Sequence, residues 1–189
     1  RPILALMPGS RRQEIERHLG IFRAAAEIVV RERPGVQVAI GAPPGMPSGA
    51  YGSVPYPLVR DSGVLLRAAT AALVKSGTST LESALAGVPF VVAYRMNPLT
   101  FGIARRMVRV PHIALANLVA GREVVPEFVQ DEATPERLAG RLLPLLDEGN
   151  PARTAMIEGL REVRVALRKG GAADRVAEIA AELLEQRGG

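Results

Sequence analysis

The feature that most constrains this chain is the alternation packed into its first forty or so residues. Residues 2–7, Pro-Ile-Leu-Ala-Leu-Met, form an apolar run stopped by Pro8-Gly9-Ser10, a turn signal. Ile15, Leu19, Phe22, Ala26 and Val29 then recur at helical spacing as far as Pro34-Gly35. Val36 to Ile40 is a second short apolar run. Strand, helix and strand in so short a stretch is a βαβ unit, and it favours a parallel sheet. Ser10 reads as the N-cap of that helix, with Gln13 three residues on.

The alternation continues. Residues 41–61 are rich in Gly and Pro, with a short strand expected between Tyr51 and Tyr56. A helical stretch is expected over 62–69, then a buried strand at Ala71-Ala72-Leu73-Val74. Ser76-Gly77-Thr78 turns into a helix from Thr80 to Ala86, closed by Gly87, and Val88 to Ala93 is the next strand. Residues 98–108 read as an amphipathic helix, and His112 to Leu115 as a last short strand. After Thr134-Pro135, an N-cap followed by Pro at the first helical position, the pattern is helical over 135–147, 151–168 and 172–187. The whole pattern predicts a doubly wound α/β domain with a parallel, Rossmann-like sheet and a helical C-terminal segment.

With 189 residues the chain fits a single domain. Aromatic residues make up only 4%, so the core is expected to be built from Val, Leu, Ile and Ala. There is no cysteine, which excludes disulfides, thiolate metal sites and cysteine nucleophiles, and allows a cytosolic origin. No metal-spaced cluster or Ser-His-Asp set is present in the sequence, and no cofactor motif appears. The net charge of +5 suits anionic partners. Nucleic acid is not among those expected, because there is neither a stacking platform nor a zinc-finger or RNP pattern. No apolar stretch approaches membrane-spanning length, and the first residues are too short a run for a signal peptide. The first residue is Arg rather than Met, and a piece of a longer protein is one expectation, processing another.

Two strand-to-helix turns carry phosphate-type chemistry. Helix N-termini present unpaired N–H groups and partial positive charge at the carboxyl ends of parallel strands. In Pro8-Gly9-Ser10-Arg11-Arg12 the glycine allows close backbone approach, Ser10 adds a hydroxyl and Arg11 a guanidinium fork. In Ser76-Gly77-Thr78-Ser79-Thr80-Leu81-Glu82, hydroxyls flank a glycine at a helix start, with a carboxylate one turn inside. Diphosphate at the amides and a ribose diol at Glu82 make a coherent nucleotide site. The structural alternative is that Ser79 and Glu82 form a capping box. Neither turn matches a Walker or dinucleotide fingerprint.

Together these turns resemble lipid-A-disaccharide synthase. The resemblance rests on Pro8-Gly9-Ser10-Arg11 with Glu14-Ile15, on Ser76-Gly77-Thr78-x-Thr80-Leu81-Glu82, and on Val88-Pro89-x-Val91-Val92-x-Tyr94-Arg95. It extends through Asn117-Leu118-x-Ala120-Gly121-Arg122-Glu123-Val124-Val125-Pro126-Glu127 to Gln130. The Ser-Gly-Thr…Glu block is shared more widely among glycosyltransferases of the two-Rossmann (GT-B) type. The resemblance implies one GT-B half, the UDP donor-binding domain, spanning residues 1–189, with its helical segment at 135–187.

The family joins a UDP-linked diacylglucosamine to diacylglucosamine 1-phosphate with inversion, without a catalytic metal on the diphosphate. The resemblance therefore implies a UDP-sugar donor, a lipid acceptor and a cytoplasmic location peripheral to the inner membrane. Carried over by position, Ser10 and Arg11 face the diphosphate, Ser76, Gly77 and Thr78 line the same pocket, and Glu82 holds the ribose. Asn117 lies near the sugar or the cleft, and Arg95, Arg122 and Gln130 are further polar candidates.

The chain departs from the family pattern in three places. Ala116 replaces the usual Pro before Asn117, Lys75 replaces a small residue beside the second turn, and the 41–61 segment is shorter and less regular. An inverting transfer needs a base, and the only histidines, His18 and His112, read as structural. The base is therefore expected in an absent N-terminal domain, leaving this chain able to bind UDP but not to catalyse transfer alone. Leu99, Ile103 and Met107 with Arg105, Arg106 and Arg109 form a candidate docking face for anionic membrane, or an ordinary half-buried helix. Two other readings stay open. One is half of another UDP-sugar enzyme, such as a UDP-N-acetylglucosamine 2-epimerase or a different GT-B transferase; the other is a non-catalytic interaction module.

Overall fold

A computed structural model of the chain describes residues 1–96 and 112–168. Among these, β1 (Ile3–Met7), β2 (Gln37–Gly41), β3 (Leu58–Val59), β4 (Ala71–Lys75), β5 (Phe90–Tyr94) and β6 (Glu127–Val129) form one sheet. Its order is β3-β2-β1-β4-β5-β6, and every neighbouring pair is parallel. The helices are α1 (Arg12–Glu32), α2 (Ser62–Ala68), α3 (Thr78–Ala86), α4 (Leu115–Ala120), α5 (Pro135–Leu145) and α6 (Pro151–Arg168). The doubly wound parallel sheet is the one expected. Its strand order reverses between β1 and β4, which makes the carboxyl ends of those two strands the switch point where such folds bind ligands.

The strands read as unbroken apolar runs because helices cover both faces of the sheet. α1 packs against α5 in one layer, while α2, α3, α4 and α6 touch in series in the other. Leu4, Leu6, Ile40 and Leu73 are fully buried, and each contributes about 1.5–3 kcal/mol relative to exposure. Phe22 and Phe90 join this aliphatic core as its two largest fully buried side chains. The start of α6 is fastened to the amino ends of the strands. Arg153 Nη1 donates to Thr70 O at 2.6 Å, and the Phe90 N–H lies 3.3 Å from Met156 Sδ.

Several boundaries follow the expected chemistry. Thr134 Oγ1 accepts from Arg137 N at 3.3 Å with Pro135 at the first helical position, and Gly87 closes α3 at φ 73°. Others differ. Residues 51–56 form no strand: a 3-10 turn covers Ser48–Tyr51, and pairing resumes only at Leu58–Val59. Pro55 and Pro57 have no N–H to offer a ladder, so only the Pro57 carbonyl joins, accepting from Ile40 N at 2.9 Å. Residues 112–115 are not a strand either, because Ala114 is the N-cap of α4. β6, three residues with a charged first member, was not foreseen. The helices expected over 98–108 and 172–187 lie outside the described residues.

Candidate functional site

Because β1 and β4 are adjacent and end in register, Met7 opposite Val74, their two following turns lie side by side. The N-cap of α1 is Arg11 rather than Ser10, and Glu14, not Gln13, closes its first turn. Glu14 Oε2 accepts the backbone N–H groups of Ser10 at 2.9 Å and Arg11 at 3.2 Å. Its other oxygen, Oε1, accepts from Lys75 Nζ at 2.9 Å, across to the end of β4. Burial alone would raise the Glu14 carboxyl, but the hydrogen bonds from Lys75 and the two amides, with the Lys75 charge, hold it below its ordinary value. Gly9 makes this approach possible: at φ 132° a side chain there is strained, and a Cβ would stand 2.5 Å from Glu14 Cβ. Ser10 and Arg11 are both exposed, the Arg11 side chain to 84%.

The second turn is organised from within. Gly77, at φ 147°, is the N-cap of α3, and Thr80 Oγ1 donates to Gly77 O at 2.7 Å. No capping box joins Ser79 to Glu82, because the helix starts before Ser79 and that residue lies inside it. Its carbonyl instead accepts from Ser83 Oγ at 2.8 Å. Glu82 is exposed and has no hydrogen-bond or ion-pair partner among the described residues. Thr78, also exposed, sits four positions earlier and therefore on the same helix face, about 6 Å away along the axis. Ser76 is buried, and its hydroxyl donates to Ile113 O at 3.0 Å.

That bond connects the turn to a polar network centred on Glu127. The Glu127 carboxylate accepts from Ile113 N at 2.8 Å, Ala114 N at 3.0 Å and Asn117 Nδ2 at 2.7 Å, fixing the start of α4. Asn117 is fully buried; its Nδ2 also donates to Val125 O at 2.8 Å, and its Oδ1 accepts from Val124 N at 2.7 Å and Val125 N at 2.9 Å. An amide has two donors and two lone pairs, so no valence remains for a sugar. Asn117 is thus a positioning residue in this arrangement.

Arg95 and Gln130 follow β5 and β6 at the same edge as the turns, and they are spent on each other's segments. The Arg95 guanidinium donates to Gln130 O at 3.3 Å and Ala133 O at 2.7 Å. Gln130, a non-glycine residue at φ 52°, accepts from Met96 N at 3.0 Å and donates to Met96 O at 3.2 Å. His18 is buried; Arg95 N donates to its Nε2 at 2.9 Å, so Nδ1 carries the proton given to Glu14 O at 2.8 Å. Burial is the main reason that its pKa falls below the ordinary value. His112 is half-buried, its Nδ1 3.9 Å from Glu127 Oε1.

Arg122 is not brought to the others. It precedes β6 and bonds the exposed Glu162 of α6 on the side from which the strand enters the sheet. There it borders a cleft of about 290 Å³ between α5 and α6. No group of three or more metal-ligating side chains occurs among the described residues. Nor does any helix among them have the length and apolarity to cross a membrane. The residues that sequence reasoning left out of the site are Glu14, Lys75 and Glu127. Glu14 and Glu127 stand within the quoted motifs, and Lys75 stood out as a departure, yet only their contacts assign them a task.

A sequence model described as lipid-A-disaccharide synthetase matches residues 56–181. The chain is 44% identical over 171 residues to the lipid-A-disaccharide synthase of Pseudomonas savastanoi, covering 86% of this chain and 44% of that protein. It is 42% identical over 190 residues to the enzyme of that name from Myxococcus xanthus, covering 97% of this chain and 49% of the other. The chain thus spans about half the length of the curated relatives it matches.

Among solved structures it is similar to the spinosyn rhamnosyltransferase SpnG complexed with thymidine diphosphate. There the TM-score is 0.56 at 17% identity, over 94% of this chain and 45% of that one. The calicheamicin glycosyltransferase CalG4 gives a TM-score of 0.54 at 21% identity, over 96% and 42%. These likenesses establish the fold, one half of a GT-B glycosyltransferase architecture. With the family pattern running over more than half of its residues, the chain belongs to the lipid-A-disaccharide synthase family.

Proposed function

We propose that this chain is the donor-binding half of a lipid-A-disaccharide synthase, holding the UDP of a UDP-linked diacylglucosamine. In the full protein, the sugar is transferred to diacylglucosamine 1-phosphate. The observation that carries this reading is the pairing of two helix N-termini at the switch point, joined by the Glu14–Lys75 contact, with an exposed carboxylate at Glu82. Diphosphate binds between Ser10, Arg11, Gly77 and Thr78, where N–H dipoles and cationic side chains face negative charge. Ser76 supports the second turn from beneath. Glu82, one turn into α3, accepts hydrogen bonds from the ribose hydroxyls.

Transfer builds negative charge on the departing UDP, and the same preorganised dipoles stabilise it without a metal. Arg95, Gln130 and Asn117 act by holding the edge of the sheet in place, and Arg122 serves the packing of α6. The general base and the acceptor site belong to the N-terminal half, and the lipid substrates bring the assembled enzyme to the membrane surface. Calorimetric titration of UDP into the chain and into Glu82→Ala tests the reading. Binding weakened ten-fold or more in the variant, about 1.4 kcal/mol, supports ribose at Glu82. Equal affinity in the two proteins refutes that assignment.

A further inference from the structure

Glu14 occupies the position of an oxyanion. Two backbone amides and the Lys75 ammonium bond its carboxylate at 2.9–3.2 Å, and Arg11 Nη1 stands 3.9 Å away. Amides, an ammonium and a guanidinium are the donors by which proteins hold phosphate oxygens. Glycines make the room on both sides. A Cβ at Gly9 would meet the Glu14 carboxylate at 2.7 Å, and one at Gly77 would come within 3.3 Å of Lys75 Nζ. Lys75 Nζ therefore lies against the N-cap of α3 as well as against the first turn of α1.

An ammonium beside two positive helix ends is unfavourable unless an anion accompanies it, and Glu14 is that anion here. With each helix end worth about half a charge, Lys75 and Arg11 set against Glu14 leave about two positive charges at this point. That surplus suits a diphosphate. A diphosphate and the Glu14 carboxylate cannot share these donors, because like charges at contact distance repel strongly where water is partly excluded.

We propose that Lys75 is a diphosphate-binding residue and that Glu14 is its exchangeable counter-ion. When the donor arrives, a phosphate oxygen takes Lys75 Nζ and the Ser10 and Arg11 amides, and the Glu14 side chain turns out to solvent. Lys75 is held nearby by the Tyr94 ring, whose centroid is 5.6 Å from Nζ, so releasing Glu14 does not release the lysine. The inference rests on the donor-site reading above and adds an exchange step to it.

The test is calorimetric titration of UDP and of inorganic pyrophosphate, at low ionic strength, into the wild-type chain, Lys75→Met, Lys75→Arg and Glu14→Gln. Glutamine keeps an acceptor oxygen for the two amides while removing the charge and the oxygen that meets Lys75, and melting temperatures verify that each variant is folded. Lys75→Met is expected to weaken both ligands ten-fold or more, Lys75→Arg to restore most of that loss, and Glu14→Gln to tighten both about three-fold or more. A Glu14→Gln variant that binds as weakly as Lys75→Met makes the pair a static clamp and overturns the exchange. Wild-type binding of UDP that Lys75→Met leaves unchanged overturns the inference while the donor reading stands. If the wild type binds neither UDP nor pyrophosphate, both fall.

Discussion

Replacing Asn117 separates two roles that the sequence could not tell apart, a sugar ligand and a structural fastener. Its side chain makes four hydrogen bonds at 2.7–2.9 Å in a fully buried position. Asn117→Ala leaves two amides, a carbonyl and a carboxylate short of a partner. Each buried group left unmet costs about 1–3 kcal/mol, and water entering beside Glu127 recovers part, so the expected loss is about 3–5 kcal/mol. Against a typical total of about 5–15 kcal/mol this is a large fraction.

Asn117→Asp is more diagnostic. It places a second carboxylate 2.7 Å from Glu127 Oε1, where the pair must share a proton. A carboxyl pKa raised in the folded state means stability retained at low pH and lost as pH rises through that raised value. Urea unfolding of Asn117→Asp followed by circular dichroism should therefore fall further behind the wild type at pH 8 than at pH 5. A penalty that does not grow with pH, or an Asn117→Ala variant within about 1 kcal/mol of wild type, would refute the argument. Unchanged stability with weakened sugar-nucleotide binding would return Asn117 to the ligand role.

Two further outcomes follow from the site's supports. His18 is neutral in the folded protein and its pKa is lowered, chiefly by burial, so the unfolded chain takes up a proton first. Its stabilising contribution is present above about pH 6.5 and is lost as pH falls through the lowered folded value; NMR titration checks this, and a folded-state pKa at or above the ordinary value would contradict it. Gly9→Ala forces a Cβ to within 2.5 Å of Glu14 Cβ at a strained positive φ, and should destabilise by about 1–3 kcal/mol while detaching Glu14 from the Ser10 amide. Thermal melts and amide exchange at Ser10 read both effects, and a melting temperature equal to wild type would count against the close approach.

The sequence by itself determined the architecture, because strand and helix periods, Pro-Gly stops and the Thr134 and Gly87 caps are local chemistry. It also determined the family, whose motifs stand in order along the chain, and it located the two strand-to-helix turns after β1 and β4. Short pairing escaped it: β3 and β6, two and three residues long, exist only because β2 and β5 offer them an edge. The start of α1 also shifted by one residue, from Ser10 to Arg11 as N-cap. Glu14 rather than Gln13 closes the first turn of α1 through one carboxylate oxygen, while Lys75, distant in sequence, holds the other.

Tertiary structure alone decided which polar residues have valences to spare. Asn117, Arg95 and Gln130 are as polar as Glu82 in the sequence, but Asn117 is fully buried, Arg95 and Gln130 are half-buried, and all three bond within the fold. Glu82 stays exposed on α3, and Arg122 is carried away by the path of the chain into β6. Local pattern fixes which residues lie on a turn. Only the crossing of distant segments fixes what each of them still has to give.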